Sequence, residues 1–112
     1  MPRRDDRDPA YLDDIVKACA VIVSRTRNKS LPDFVADGSL HDGVILQLIV
    51  IGESSKNLSE PTKKHFKTIA WRDMARLRDL AAHHYHSLDL LKIWNIATDD
   101  VPQLLHTLTR GS

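Results

Sequence analysis

The stretch GVILQLIVIG, residues 43–52, is apolar on more than one side of any regular helix, with Gln47 its one polar interruption. Such a helix cannot rest on a surface by one stripe. It has to be covered nearly all round, by helices of its own chain or by a second copy of it. Two readings follow: Val44 to Ile51 forms a deep monomer core, or it forms a homodimer interface where Gly52 permits close helix approach. The stretch is too short to span a bilayer.

Composition narrows the fold around that helix. The chain has 112 residues, enough for one domain with a modest core, and hydrophobic residues make up 42% of it. Aromatic residues are 5%, so the core is built from Leu, Ile, Val and Ala, a palette that with four glycines favours helices. Cys19 stands alone and cannot form an internal disulfide, which suits a reducing compartment. The opening MPRRDDRDPA leads into no apolar core with a cleavage site, so no signal peptide is expected and the reading is cytoplasmic.

Helical spacing recurs along the chain. Residues 1–7 read as a flexible charged tail and residues 8–110 as a single helical domain. Asp8-Pro9 resembles an N-cap and first helical proline, followed by Leu12, Ile15, Val16, Cys19, Ile22 and Val23 on one stripe. LPDFVAD makes a short helix or turn, and a second long helix spans about Leu40 to Leu58. A short piece begins at Ser59-Glu60-Pro61, and a third main helix begins near Trp71, turning Met74, Leu77, Leu80 and Ala81 inward. Ser87 can cap the next helix, whose inward set reads Leu88, Leu91, Ile93, Trp94 and Ala97. Pro102 has no backbone N–H, so a kink or restart is expected at Thr98 to Val101, after which Leu104, Leu105 and Leu108 resume the stripe. The fold class expected is all-α, an antiparallel bundle of four to five main helices.

The formal net charge is +1, which alone argues for no partner. Between Lys56 and Arg78, however, seven bases face Glu60 and Asp73, a local excess of five positive charges. Lys63, Lys64, Lys67, Arg72 and Arg76 are therefore candidate RNA-binding residues, against the plainer reading of a solvated lysine-rich surface.

That basic run ends in RDLAAHHYH, residues 78–86, where Arg78, His83, His84, Tyr85 and His86 crowd together. On a regular helix Asp79 and His83 share a face, whereas Arg78 and His83 point about 140° apart. Asp79 can then hydrogen-bond His83 and favour its protonated form. Arg78 and His83 can meet on one phosphate if the helix ends there or if a second subunit supplies one of them. Three readings compete: histidines at a helix C-terminus stabilised by the macrodipole, a metal site, or phosphate chemistry. The metal reading lacks a compact His, Cys, Asp or Glu set to complete coordination.

The order of residues decides more than the spacing does. Arg78, His83 and Tyr85 fit Arg-x4-His-x-Tyr inside IAWRDMARLRDLAAHHYHSLDLLKIWNIATDDVPQLLHTL, with LQLIVIGESSKNLS upstream. Together these resemble the HepT-like branch of the HEPN superfamily, with its "IGEA.K.LS" helix, its "PWR.I..LRN...H.Y..VD...VW" segment and its closing "DLP.L". The resemblance runs from about Tyr11 to Leu108. It implies a HEPN-like, homodimeric all-α toxin that cleaves RNA without a metal or other cofactor. Its implied partner is a small MntA-like nucleotidyltransferase antitoxin of a type VII-like system. By the same resemblance Arg78 and His83 are catalytic and Tyr85 is the hydroxyl that receives AMP. Asp79 departs from the asparagine usual after the arginine, and its charge beside a scissile phosphate opposes RNA binding. His84 stands at a position often small or acidic in the family. Asp79 and His84 are thus expected to tune the site.

Cleavage by the RNA's own 2′-hydroxyl needs a base on that hydroxyl and an acid on the leaving 5′-oxygen. One imidazole cannot stand at both places, and a dimer supplies two copies of His83. The rival class is a non-catalytic helical partner that docks a nucleotidyltransferase.

Overall fold

The computed structural model describes residues 4–83 and 89–110. Among the described residues seven α-helices follow one another: α1 (Asp8–Thr26), α2 (Leu31–Ala36), α3 (Gly38–Lys56), α4 (Glu60–His65), α5 (Trp71–His83), α6 (Leu90–Asn95) and α7 (Val101–Arg110). Among the described residues there is no strand, so the all-α expectation holds. Arg4–Arg7, within the stretch read as a charged tail, form one 3-10 turn that runs into α1.

Helix α3 is the axis of the molecule, packed along α1 on one side and α5 on another. Val44, Ile45, Leu48 and Ile51 are buried along it, as the sequence demands of so apolar a helix. Towards its C-terminal end the buried residues become small: Gly52, Ser54 and Ser55. Small side chains let two neighbouring helices approach the same turn. Gly52 shows how close they come, because a Cβ built there would lie 2.4 Å from the backbone nitrogen of Arg78 on α5. The close approach expected of Gly52 is therefore made within the chain. Coverage of α3 is incomplete, since Leu46 remains 58% exposed.

Helix α1 contributes Ile15, Cys19 and Ile22 to the core, all fully buried. Burial pushes the Cys19 thiol up to about 12, in keeping with a packing role. The expected N-cap at Asp8 is corrected. Arg7 occupies the cap, and the Asp8 carboxylate reaches across to the start of α4. There it accepts hydrogen bonds from the Ser59 amide at 3.1 Å, from the Ser59 hydroxyl and from the Thr62 hydroxyl. This contact sets the beginning of α1 beside the end of α3, so the two run antiparallel.

Local signals account for the shorter pieces. Ser30 and Asp33 form a reciprocal capping box on α2, and Asp37 accepts from the Leu40 amide at the start of α3. The amide of Ser30 holds the Asp33 carboxyl below the ordinary carboxylate value. The cap of α6 is Asp89, which accepts from the Lys92 amide at 3.2 Å, rather than Ser87, which lies outside the described residues together with Leu88. Leu91 is likewise corrected: it is 52% exposed, because the inward positions are Ile93 on this helix and Ala97 in the turn that follows it. Between α6 and α7 the chain makes a π-helical turn, Ile96–Asp100, in which Val101 donates to the Ile96 carbonyl. The missing N–H of Pro102 makes an unbroken α-helical ladder impossible there, and the wider turn absorbs the loss.

Candidate active site

Helix α5 carries the centre of the candidate site. Its start is anchored where the Trp71 indole donates to the Lys63 carbonyl at 3.2 Å and the Met74 amide bonds the Ala70 carbonyl. Asp73 in the first turn complements the positive end of the helix dipole. Leu77 and Ala81 are buried against the core, which leaves Arg78 on the shoulder where α5 meets α3.

The backbone of Arg78 is pressed against Gly52, and its side chain remains 42% exposed. The guanidinium is flanked by two carboxylates. Its Nε lies 3.6 Å from Oε2 of Glu53, and its Nη1 donates to Oδ1 of Asp79 at 3.1 Å. Glu53 and Asp79 have side chains 52% and 54% exposed, so water and solutes reach all three groups. An arginine so placed can exchange a carboxylate for a phosphate oxygen without unpacking the core.

Asp79, expected beside His83, is thus engaged by its neighbour Arg78. His83 is the last residue of α5, and its side chain lies outside the described residues. His84, Tyr85 and His86 also lie outside them. The structure brings together Arg78, Asp79 and Glu53; Glu53 had no role assigned from sequence. Its signal was its place directly after Gly52 in the GESSKNLS stretch.

The basic run is divided between surfaces. Lys63 pairs with Glu60 at 3.7 Å on α4, while Lys64 and Lys67 are exposed nearby. Arg72 and Arg76 are exposed one turn apart on α5. Two positions along a helix turn Arg76 about 200° from Arg78. It lines a cavity of about 360 Å³ with Leu77, Leu80, Lys92, Ile96 and Asp100, away from α3. Among the described residues, no three His, Cys, Asp or Glu side chains cluster as a metal ion would require. None of the described helices is long and apolar enough to cross a membrane.

The family model for ribonuclease HepT-like proteins matches residues 15–110. The chain belongs to the ribonuclease HepT-like family. Its relatives within and around that family carry consistent names. The "Probable ribonuclease HepT" of Thermococcus cleftensis is 37% identical over 102 residues, covering 91% of each chain. A protein of Methanocaldococcus jannaschii named as a candidate RNase is also 37% identical over 102 residues, covering 91% of this chain and 83% of its own. Another candidate RNase, from Caldanaerobacter subterraneus subsp. tengcongensis, is 30% identical over 94 residues and 84% of both chains. No solved structure matches the chain at a significant level. Membership of this HepT-like family agrees with the Arg-x4-His-x-Tyr spacing and with the all-α bundle, and it favours RNA as the substrate class.

Proposed function

We propose that this chain is a metal-independent endoribonuclease in which Arg78 binds the scissile phosphate and His83 transfers protons. The observation that carries the reading is Arg78 itself: a half-exposed guanidinium held at a tight helix contact, at the head of Arg-x4-His, in a HepT-like chain. Residues 8–110 act as one domain, with residues 1–7 as a charged appendage, and the enzyme works in the cytoplasm as a homodimer. Leu46, exposed on α3 with the half-buried Ile49 and Val50 beside it, supports a second copy covering that face. The dimer supplies two imidazoles, one as base on the 2′-hydroxyl and one as acid on the 5′-oxygen. Two arginines steady the charge that develops on the phosphorane. The products are a 2′,3′-cyclic phosphate and a 5′-hydroxyl. Lys63, Lys64, Lys67, Arg72 and Arg76 hold flanking RNA by its phosphates.

In the same reading the chain is the toxin of a two-component system. A MntA-like nucleotidyltransferase transfers AMP from ATP to the Tyr85 hydroxyl, breaking the α–β phosphoanhydride bond and releasing pyrophosphate, and so adds bulk and negative charge close in sequence to Arg78. The test is cleavage of a single-stranded RNA by the purified, unmodified chain. Cleavage should persist in excess EDTA, stop when the 2′-hydroxyl at the cut is replaced by hydrogen, and fall at least ~10²-fold in His83→Ala. Intact-mass measurement after incubation with ATP and the cognate nucleotidyltransferase tests Tyr85, with Tyr85→Phe as the unmodified control.

One observation favours a second reading, a non-catalytic partner of the nucleotidyltransferase. Two carboxylates already neutralise the Arg78 guanidinium, which weakens its pull on phosphate. Under that reading the folded chain binds its partner and leaves RNA intact.

A further inference from the structure

Glu53 lies outside the Arg-x4-His motif and on a different helix, yet its carboxylate stands at the Nε of Arg78. We propose that Glu53 is the positioning residue of Arg78: it holds the guanidinium by its inner nitrogen and so presents the outer nitrogens to a phosphodiester. The inference rests on the reading of Arg78 as the phosphate-binding residue.

Three features of the geometry support it. Gly52, the residue before Glu53, lets α5 approach until the backbone of Arg78 fills the space of a Cβ, which brings the carboxylate within 3.6 Å of Nε. The two acids engage different parts of the guanidinium. Glu53 faces Nε, near the aliphatic stem, while Asp79 faces Nη1 at the outer end. Finally, a bidentate phosphate contact needs two parallel N–H groups on one edge of the fork. With Nε given to Glu53, the Nη1–Nη2 edge is the one left, and Asp79 must release it. Both pairs are exposed and individually weak, so a phosphate can displace Asp79 at the outer edge, and Glu53 is set apart by its place on α3 rather than by strength. The pair to α3 restrains a long side chain whose freedom would otherwise be lost on binding.

The sign of one substitution separates this role from simple electrostatics. Removing an acid near a polyanion site tightens binding if charge alone matters, whereas removing a positioning acid loosens it. The experiment uses the full chain with a fluorescein-labelled mixed-sequence single-stranded RNA for KM and kcat, and its uncleavable 2′-deoxy counterpart for Kd. Glu53→Gln should raise both KM and Kd about tenfold, a coupling normal for contacting charged groups, with an unchanged unfolding temperature. In an Arg78→Ala background the same substitution should move the Kd for the 2′-deoxy strand by less than about twofold, because the group being positioned is gone. Unchanged or lowered KM and Kd in Glu53→Gln overturn the proposal. So does an equal effect with and without Arg78. A chain that binds the 2′-deoxy strand with this coupling yet leaves RNA intact defeats the ribonuclease reading and keeps the positioning role. One that cleaves RNA with no coupling does the reverse, and one that binds neither strand defeats both.

Discussion

The backbone nitrogen of Arg78 lies where a Cβ on Gly52 would have to go, 2.4 Å from that atom's ideal position. The obstacle is backbone on a packed helix, so neither side can yield cheaply. Gly52→Ala should therefore cost about 1–3 kcal/mol of stability through overpacking. For a domain of this size each kcal/mol lowers the unfolding temperature by about 4–8 °C, which a thermal melt resolves. RNA cleavage by the folded fraction should fall as well, because α5 has to move and Arg78 moves with it.

Asp79 engages the outer end of the Arg78 guanidinium and carries a full negative charge at an exposed position. Asp79→Asn keeps a hydrogen-bonding side chain and removes the charge. The variant should bind single-stranded RNA more tightly, with KM lower by about threefold at low salt and the gain shrinking as salt rises. Weaker binding in the variant would mean that Asp79 supports the site rather than competing for it.

How far this site could be read from the chain depended on how local each signal was. The apolar spacing of α1, α3 and α5 announced the helices, and Pro102 announced the break that became the Ile96–Asp100 turn. Arg78 and His83 were singled out through motif order, and of the two the structure describes the side chain of Arg78. Glu53 was not, because its nearness to Arg78 arises from packing between α3 and α5, and its place after Gly52 marks a close approach without naming Arg78. Asp8 misled for the same reason. A carboxylate before a proline reads as the cap of its own helix, and here it serves Ser59 and Thr62 across the fold. Gly52 announced a close approach without naming the helix that makes it.

That long-range contact of Asp8 should be costly to remove. Asp8 is 4% exposed, and the Ser59 amide and hydroxyl and the Thr62 hydroxyl all point at its carboxylate. Asp8→Ala strands those donors in a buried setting, which costs about 1–3 kcal/mol. Chemical denaturation should show a lower midpoint. Turnover at saturating RNA by the folded protein should be unchanged, because α4's anchor lies away from Arg78, whereas RNA binding should weaken as Lys63 and Lys64 shift with α4.

Cys19 offers a chemical reporter of the same core. It is fully buried, and desolvation raises the thiol from an ordinary 9.0 to about 12. A group whose pKa is raised on folding lends stability below its unfolded value and loses it as pH climbs through the folded one. The window here runs from about 9 to about 12. At pH 8 the native chain should not react with an aromatic disulfide reagent, and one thiol should react at once in denaturant. Rapid labelling of the native chain would contradict the packing of α1 against α3.

Leu46 tests the proposed dimer. It is 58% exposed on the helix that otherwise forms the centre of the core, one turn from the half-buried Ile49 and Val50. The next turn of the same stripe carries Glu53, beside Arg78. A partner covering Leu46 would therefore bring its own copy of the site towards this one, as a two-histidine mechanism requires. Leu46→Lys places an ammonium in that contact without touching the monomer core. Sedimentation should show the dimer dissociating at least tenfold more readily, in line with the cost of an unpaired charge in an apolar interface. The unfolding temperature of the monomer should stay within the small range normal for surface changes. Cleavage should fall with the dimer and recover as protein concentration is raised. A variant that stays fully dimeric, or one that becomes monomeric and cleaves at the normal rate, would separate the exposed face of α3 from the reaction.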